Sequence, residues 1–151
     1  MRAVVQRSVL PARVKVEGTI TGAIERGLIV YLGITAQDSK EDIDWLARKL
    51  VHMRIFSDEA GKMNKSLVDI SGGMLIISQF TLYASTKKGN RPSYLRSAGP
   101  EFAKKLYEDF IQHVEETYEV PVGTGIFGAD MKVEYTNDGP VTIIVDTENK
   151  E

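Results

Sequence analysis

Cysteine is absent from the 151 residues, which excludes a disulfide framework, a thiolate zinc site and a cysteine nucleophile, and fits a reducing compartment. Long hydrophobic runs are missing too. No stretch approaches the roughly 20 apolar residues of a membrane span. The start, Met1-Arg2-Ala3-Val4-Val5-Gln6-Arg7, turns polar too soon for a signal peptide. A soluble, cytoplasmic protein is expected. Histidine is scarce: His52 and His113 fall on expected helices, and neither has a second histidine at ligand spacing, so no metal site is expected. Gly72-Gly73 and Gly123-Thr124-Gly125 lack the lysine and hydroxyl of a phosphate loop and the six-residue dinucleotide fingerprint. Both are expected to be turns, and no cofactor is expected. Asp42 and Asp44, two apart on a helix, point different ways and do not make a carboxylate pair.

Net charge is small as well, with 19 basic against 21 acidic residues, so the overall field announces no nucleic-acid partner. The distribution carries more. From Ala84 to Pro100 there is no acidic residue, while Lys87, Lys88, Arg91 and Arg96 all fall there. That is either a solvated loop or a surface for phosphates.

One domain is expected over residues 1–146, with a polar tail over 147–151. Alternation in Ala3–Arg7 and Ala12–Glu17 predicts two strands around Pro11, read as a hairpin. Leu28–Ile34 is a nearly continuous apolar run of strand length, expected at the centre of a sheet. Ser39 with Asp42 resembles a capping pair, and Ile43, Leu46, Ala47, Leu50 and Val51 then recur at helical spacing up to about Met53. Arg54–Phe56 and Met74–Ile77 read as strands. Pro100 suits the first turn of a second helix, whose Ala103, Leu106, Tyr107, Phe110, Ile111 and Val114 share a face, with Pro121 closing it. Strands around Met131–Tyr135 and Val141–Val145 flank a turn at Asn137-Asp138-Gly139-Pro140. The fold class is α+β, a mostly antiparallel sheet curled on itself with about two main helices.

Two segments interrupt this pattern. In Ser78-Gln79-Phe80-Thr81-Leu82, hydroxyl and amide groups end an apolar strand; that is a strand meeting water or a scaffold presenting groups to a ligand. Asn137-Asp138-Gly139-Pro140-Val141-Thr142 is, alone, a turn between two strands.

Together, and in this order, the two segments resemble the signature motifs of the D-aminoacyl-tRNA deacylase family, also called D-tyrosyl-tRNA deacylases. The resemblance runs from Val5-Gln6-Arg7 through Arg54–Asp58, Gly61–Asn64 and Arg91-Pro92-Ser93 to Phe127–Met131. Small departures are Tyr94, where phenylalanine is commoner, and Ile126 before Phe127. The resemblance implies a homodimer of compact β-barrel-like subunits with helices outside and active sites at the subunit interface. It implies hydrolysis of the ester of D-aminoacyl-tRNA, without metal or organic cofactor, as chiral proofreading in translation. Gly139-Pro140 would be the Gly-cis-Pro dipeptide that enters the other subunit's pocket and screens chirality with backbone groups, and Arg7 would brace it. Ser78, Gln79, Phe80 and Thr81 would line the pocket around the ester, with Gln79 and Thr81 as the catalytic candidates. Phe127 and Met131 would receive the terminal adenosine.

An aminoacyl ester is already activated, so positioning and oxyanion stabilisation could suffice. Thr81 as a nucleophile or assistance by the terminal ribose 2′-hydroxyl both stay open. A backbone filter of this kind would not reject glycine. The rivals are a nonenzymatic RNA-binding module, motivated by Lys87, Lys88 and Arg91 with Tyr83 and Tyr94 beside them, and a purely structural dimer.

Overall fold

Alternation of side chains along the strands sets the layering of the computed structural model, which describes residues 1–150. In chain order the strands and helices are β1 (Arg2–Ser8), β2 (Ala12–Val16), β3 (Thr19–Ile24), β4 (Gly27–Gly33), α1 (Lys40–His52), β5 (Phe56–Ser57), β6 (Met63–Lys65), β7 (Gly73–Ser78), α2 (Pro100–Tyr118), β8 (Val122–Thr124), β9 (Lys132–Glu134) and β10 (Thr142–Asp146). A single 3₁₀ turn, Phe80–Tyr83, follows β7. The main sheet has the order β10-β1-β4-β7-β8, so the apolar run at Leu28 is its central strand, as its composition required. On one face Ala3, Val5, Leu28, Val30, Leu32, Met74 and Ile76 pack with Leu46 and Leu50 of α1 and Phe110 and Val114 of α2. The intervening residues Ile29, Leu75 and Ile77 point the other way and join Ala12, Val14 and Ile24 of a second sheet, ordered β3-β2-β9. The result is an α+β fold with helices, main sheet and small sheet stacked in that order.

Both helices begin where the sequence places them. The Ser39 N–H donates to Asp42 Oδ2 at 2.9 Å, and Pro100 occupies the first turn of α2. The far end of α2 differs, because Glu119 takes a left-handed conformation and its N–H caps Glu115 O at 3.1 Å, two residues before Pro121. Truncating the fully buried Phe110 would cost about 3–5 kcal/mol.

Three expectations are corrected. β1 and β2 do not form a hairpin: β1 lies between β10 and β4 in the main sheet, and β2 pairs with β3 and β9. Ser8 Oγ donates to Leu10 O at 2.8 Å just before Pro11, turning the chain from one sheet into the other. Gly72-Gly73 and Gly123–Gly125 are not both plain turns. Gly73 opens β7, and Gly123 lies inside β8, parallel to β7. A Cβ on Gly123 would sit 2.9 Å from the Ala23 backbone, and one on Gly22 would sit 2.4 Å from that of Thr124. Glycine is thus the residue that lets β3 cross β8 backbone to backbone. That crossing, which has no ladder hydrogen bonds, is also why the strands stay in separate sheets and close no barrel. Finally, the polar tail does not begin at residue 147. Thr147 is buried, its N–H donates to Met1 O at 2.9 Å, and its hydroxyl accepts from the Met1 amino group. Residue 151 of that tail lies outside the described residues.

Candidate functional site

Parallel strands β4 and β7 stay paired as far as Leu32 and Ser78, and a cavity of about 310 Å³ lies at their carboxyl ends. Ladder geometry carries one step past the strand: Gln79 N–H donates to Leu32 O at 2.8 Å. The chain then winds into the 3₁₀ turn, in which Leu82 N–H reaches back to Gln79 O. The amides of Phe80 and Thr81 therefore precede the first hydrogen-bonded residue of the turn.

Ser78, Gln79 and Phe80 line the cavity. Phe127, Gly128, Ala129, Asp130 and Met131 line it as well. The Phe127 ring packs 5.7 Å from that of Tyr107 on α2, and Tyr107 is fixed by its hydroxyl donating to Ile76 O at 2.7 Å. Burial raises the pKa of Tyr107 above the usual phenol range, so it stays a donor. Tyr31, whose pKa burial and the neighbouring Tyr135 likewise raise, also lines the cavity, with Ile77. Thr81, expected in the pocket lining, does not line the cavity, and its Oγ1 accepts from Gln79 Nε2.

The stretch Ala84–Gly99 leaves and returns at the rim. Ser85 and Ser93 exchange backbone hydrogen bonds of 2.8 and 2.9 Å, Ser97 Oγ donates to Phe80 O at 2.7 Å, and the Phe80 and Tyr94 rings meet edge to face at 5.0 Å. Lys87, Lys88 and Arg91 are exposed at the tip, without an ion-pair partner among the described residues.

The other expected residues gather elsewhere. Gly139-Pro140 is cis and exposed, in a turn built around Arg7. The Arg7 backbone brackets the turn, its N–H donating to Val141 O at 3.3 Å and its carbonyl accepting from Asp138 N–H at 2.9 Å. Its guanidinium donates to Asp138 O at 3.2 Å and Ile55 O at 2.7 Å. Neither Arg7 nor the dipeptide lines the cavity of its own chain. One chain thus brings Ser78, Gln79, Phe80, Phe127 and Met131 together, and brings Arg7, Gly139 and Pro140 together, as two separate groups.

The sequence reading missed Tyr31 and Asp130 as wall residues. The available signal for Tyr31 was a lone hydroxyl inside an apolar strand. Among the described residues no three His, Asp or Glu side chains cluster as metal ligands would, and no helix is long and apolar enough to cross a membrane.

A family model described as D-Tyr-tRNA(Tyr) deacylase matches residues 4–146. A Bacteroides thetaiotaomicron protein named D-aminoacyl-tRNA deacylase is 55% identical over 151 residues, all of both chains. One of the same name from Thermosipho africanus is 56% identical over 147 residues, 97% of each. A solved structure called c-Myc DNA Unwinding Element Binding Protein superimposes with a TM-score of 0.90 at 40% identity, covering 97% of this chain and 99% of that one. Another, described as a probable eukaryotic D-amino acid tRNA deacylase, has a TM-score of 0.76 at 18% identity, covers 95% of this chain and 97% of that one, and shares the fold.

Proposed function

The chain belongs to the D-Tyr-tRNA(Tyr) deacylase family, and from that membership and the cavity at Ser78-Gln79-Phe80 we propose how it hydrolyses the ester of D-aminoacyl-tRNA. The observation that carries the proposal is a cavity of about 310 Å³ lined by both the polar end of β7 and the Phe127–Met131 segment. That space takes an aminoacyl group and the edge of a terminal adenosine.

The aminoacyl carbonyl lies at the start of the 3₁₀ turn, and the Phe80 and Thr81 amides donate to the oxygen as it becomes an oxyanion. A fixed donor there contributes about 2.7–4 kcal/mol, or two to three powers of ten in rate. Phe127 and Met131 hold the adenosine. We assign Thr81 a role other than nucleophile; its side-chain contact with the Gln79 amide nitrogen, which donates and cannot accept a proton, supports that reading. The terminal ribose 2′-hydroxyl instead assists water, with Gln79 positioning the participants. Hydrolysis breaks the acyl–oxygen bond, releasing free tRNA and the D-amino acid.

Gly139-Pro140 screens the substrate's Cα, and it does so in a second copy's pocket, giving a homodimer. Its exposure and its separation from its own chain's cavity support this, as do β10 at an edge of the main sheet and Ile144 there at 69% exposure. Backbone at Cα clashes with an L side chain and lets D side chains point outward. Glycine, lacking a side chain, passes the same screen. Lys87, Lys88 and Arg91 track the tRNA backbone. We place the enzyme in the cytoplasm, where aminoacyl-tRNA is made, and treat residues 1–146, with Thr147 docked on Met1, as its single domain.

Deacylation of matched D-tyrosyl-, L-tyrosyl- and glycyl-tRNA tests the proposal: the D and glycyl esters should be cleaved and the L ester spared. Equal rates on D and L esters would refute the chiral screen. A second reading, nucleic-acid binding without hydrolysis, draws on the exposed basic tip and on the name of the relative at 40% identity. It predicts salt-sensitive binding with no release of amino acid from any ester.

A further inference from the structure

An unbroken run of side-chain hydrogen bonds joins the cavity wall to the Gly139-Pro140 turn. Tyr31 lines the cavity, and its hydroxyl lies 3.1 Å from that of Tyr135, just beyond β9. The Tyr135 hydroxyl donates to Gln6 Oε1 on β1. Gln6 Nε2 in turn donates to Thr142 Oγ1 at 3.0 Å, at the start of β10. Asn137 Nδ2 reaches the same oxygen at 3.0 Å, and Asn137 Oδ1 accepts the Val141 N–H at 3.0 Å. Asn137 and Val141 flank the dipeptide, so the run ends on both sides of it.

The run has a direction. Tyr135 commits its proton to Gln6, so the Tyr31 hydroxyl is the donor in the pair between them. Gln6 must then turn its carbonyl toward Tyr135 and its amide nitrogen toward Thr142. Strand register makes this possible: Gln6 pairs with Thr142, and Val4, two residues before Gln6 on the same face, pairs with Tyr31. Tyr31 and Gln6 therefore stand on one face of the main sheet, the face against which the small sheet packs, and Tyr135 follows the last strand of that small sheet. A tyrosine half-buried among apolar neighbours needs one acceptor to be satisfied. Tyr135 alone supplies it, and the continuation through Gln6 to Thr142 and Asn137 exceeds that need.

We infer that Tyr31, Tyr135 and Gln6 are positioning residues for chiral specificity, holding the Gly139-Pro140 turn in a fixed relation to the cavity wall. This rests on the turn's role as the chiral screen proposed above. None of the three is a catalytic residue.

The test compares Tyr31→Phe, Tyr135→Phe and the double variant in the full-length protein. kcat and KM are measured on D-tyrosyl- and L-tyrosyl-tRNA, with thermal unfolding and amide exchange at Val141 alongside. Each single variant should lower the ratio of D to L kcat/KM roughly three- to tenfold, the factor that one neutral hydrogen bond supplies. KM for the D ester should stay within about twofold in Tyr135→Phe, whose side chain does not line the cavity. The double variant should be no worse than Tyr135→Phe alone, since both break one run. Exchange at Val141 should quicken while exchange in β7 does not. An unchanged D to L ratio, additive losses, or equal falls on both esters with a lowered melting temperature would each overturn the inference. If the wild type fails to discriminate D from L, the functional proposal falls by itself. Val141 exchange then judges the run alone, and unaltered protection in Tyr135→Phe would overturn it.

Discussion

Arg7 Nη2 lies 2.8 Å from Asp138 Oδ2, and the same guanidinium holds the carbonyls of Ile55 and Asp138. A planar fork meets three acceptors at once. Because Arg7 is buried while Asp138 is 40% exposed on its side chain, the ion pair itself adds little and the carbonyl contacts carry more. Arg7→Ala should destabilise the protein by about 2 kcal/mol, chiefly by leaving Ile55 O without a donor. It should also reduce D over L preference by freeing the turn. Arg7→Lys should recover part of the stability and little of the preference. Urea unfolding with a D and L deacylation assay checks both, and full preference in Arg7→Ala would remove the brace from the account.

Gly139 has a φ of +126°, and a Cβ there would meet Val141 Cγ2 at 2.9 Å and Arg7 Nη2 at 3.1 Å. Only glycine adopts that backbone readily. Gly139→Ala should therefore push the turn off Arg7, at a cost of about 1–3 kcal/mol. Deacylation of the D ester should fall at least about tenfold. Single-turnover assays on D-tyrosyl-tRNA measure this, and wild-type rates would show that the turn does not approach the substrate.

Both helices and the central strand were legible because their signals are local: Ser39 with Asp42, Pro100, and the apolar run from Leu28. Pairing was not. The hairpin expected of β1 and β2 rested on nearness in sequence, but β1 binds β10, more than a hundred positions away, and nothing local encodes that choice. The site divides in the same way. Ser78 and Gln79 announced themselves by ending an apolar strand with polar groups. Tyr31 and Tyr135, 104 positions apart, look like core filler in the sequence and acquire a common role only once the small sheet folds over β4.

Asp42 offers a pH test. Burial works to raise its pKa, but hydrogen bonds from the Thr147 side chain and from the Ser39 backbone and hydroxyl outweigh that, and its carboxyl is held below the usual value of 3.8. A folded pKa below the unfolded one gives stability that is fully present above the unfolded value and lost as pH falls through the folded one. Wild-type stability should thus drop below about pH 4. Asp42→Asn should be weaker at pH 7 by about 0.5–1 kcal/mol, from the damaged cap of α1, and should lose less on acidification. Denaturant melts at pH 7, 5 and 3 would read the difference, and parallel curves would assign the acid limb to other carboxylates.

Lys87, Lys88 and Arg91 should set the salt dependence of tRNA binding. Three neutralised phosphates give a slope of log affinity against log salt of about −2 on single-stranded RNA and about −2.7 on duplex. Replacing all three by alanine should flatten the slope toward zero and leave the D to L ratio intact, since none of the three lines the cavity. Fluorescence titration at several salt concentrations checks this. A slope unchanged in the triple variant would move the phosphate contacts elsewhere.

Thr81 accepts a hydrogen bond from the Gln79 amide nitrogen, which cannot take up a proton, and the proposed mechanism gives the assisting role to the ribose. Thr81→Ala should keep activity within about tenfold of wild type, since it removes one acceptor and one orienting contact for Gln79 and leaves the backbone donors of the 3₁₀ turn in place. Substrate ending in 2′-deoxyadenosine should suffer far more, by at least about a hundredfold, because the group that assists water is gone. Combining the two changes should add their effects if Thr81 and the 2′-hydroxyl act separately. Rapid quench followed by mass spectrometry of the protein gives the opposing result its chance: an acyl group trapped on Thr81 during turnover would establish the covalent route and displace the ribose from the mechanism.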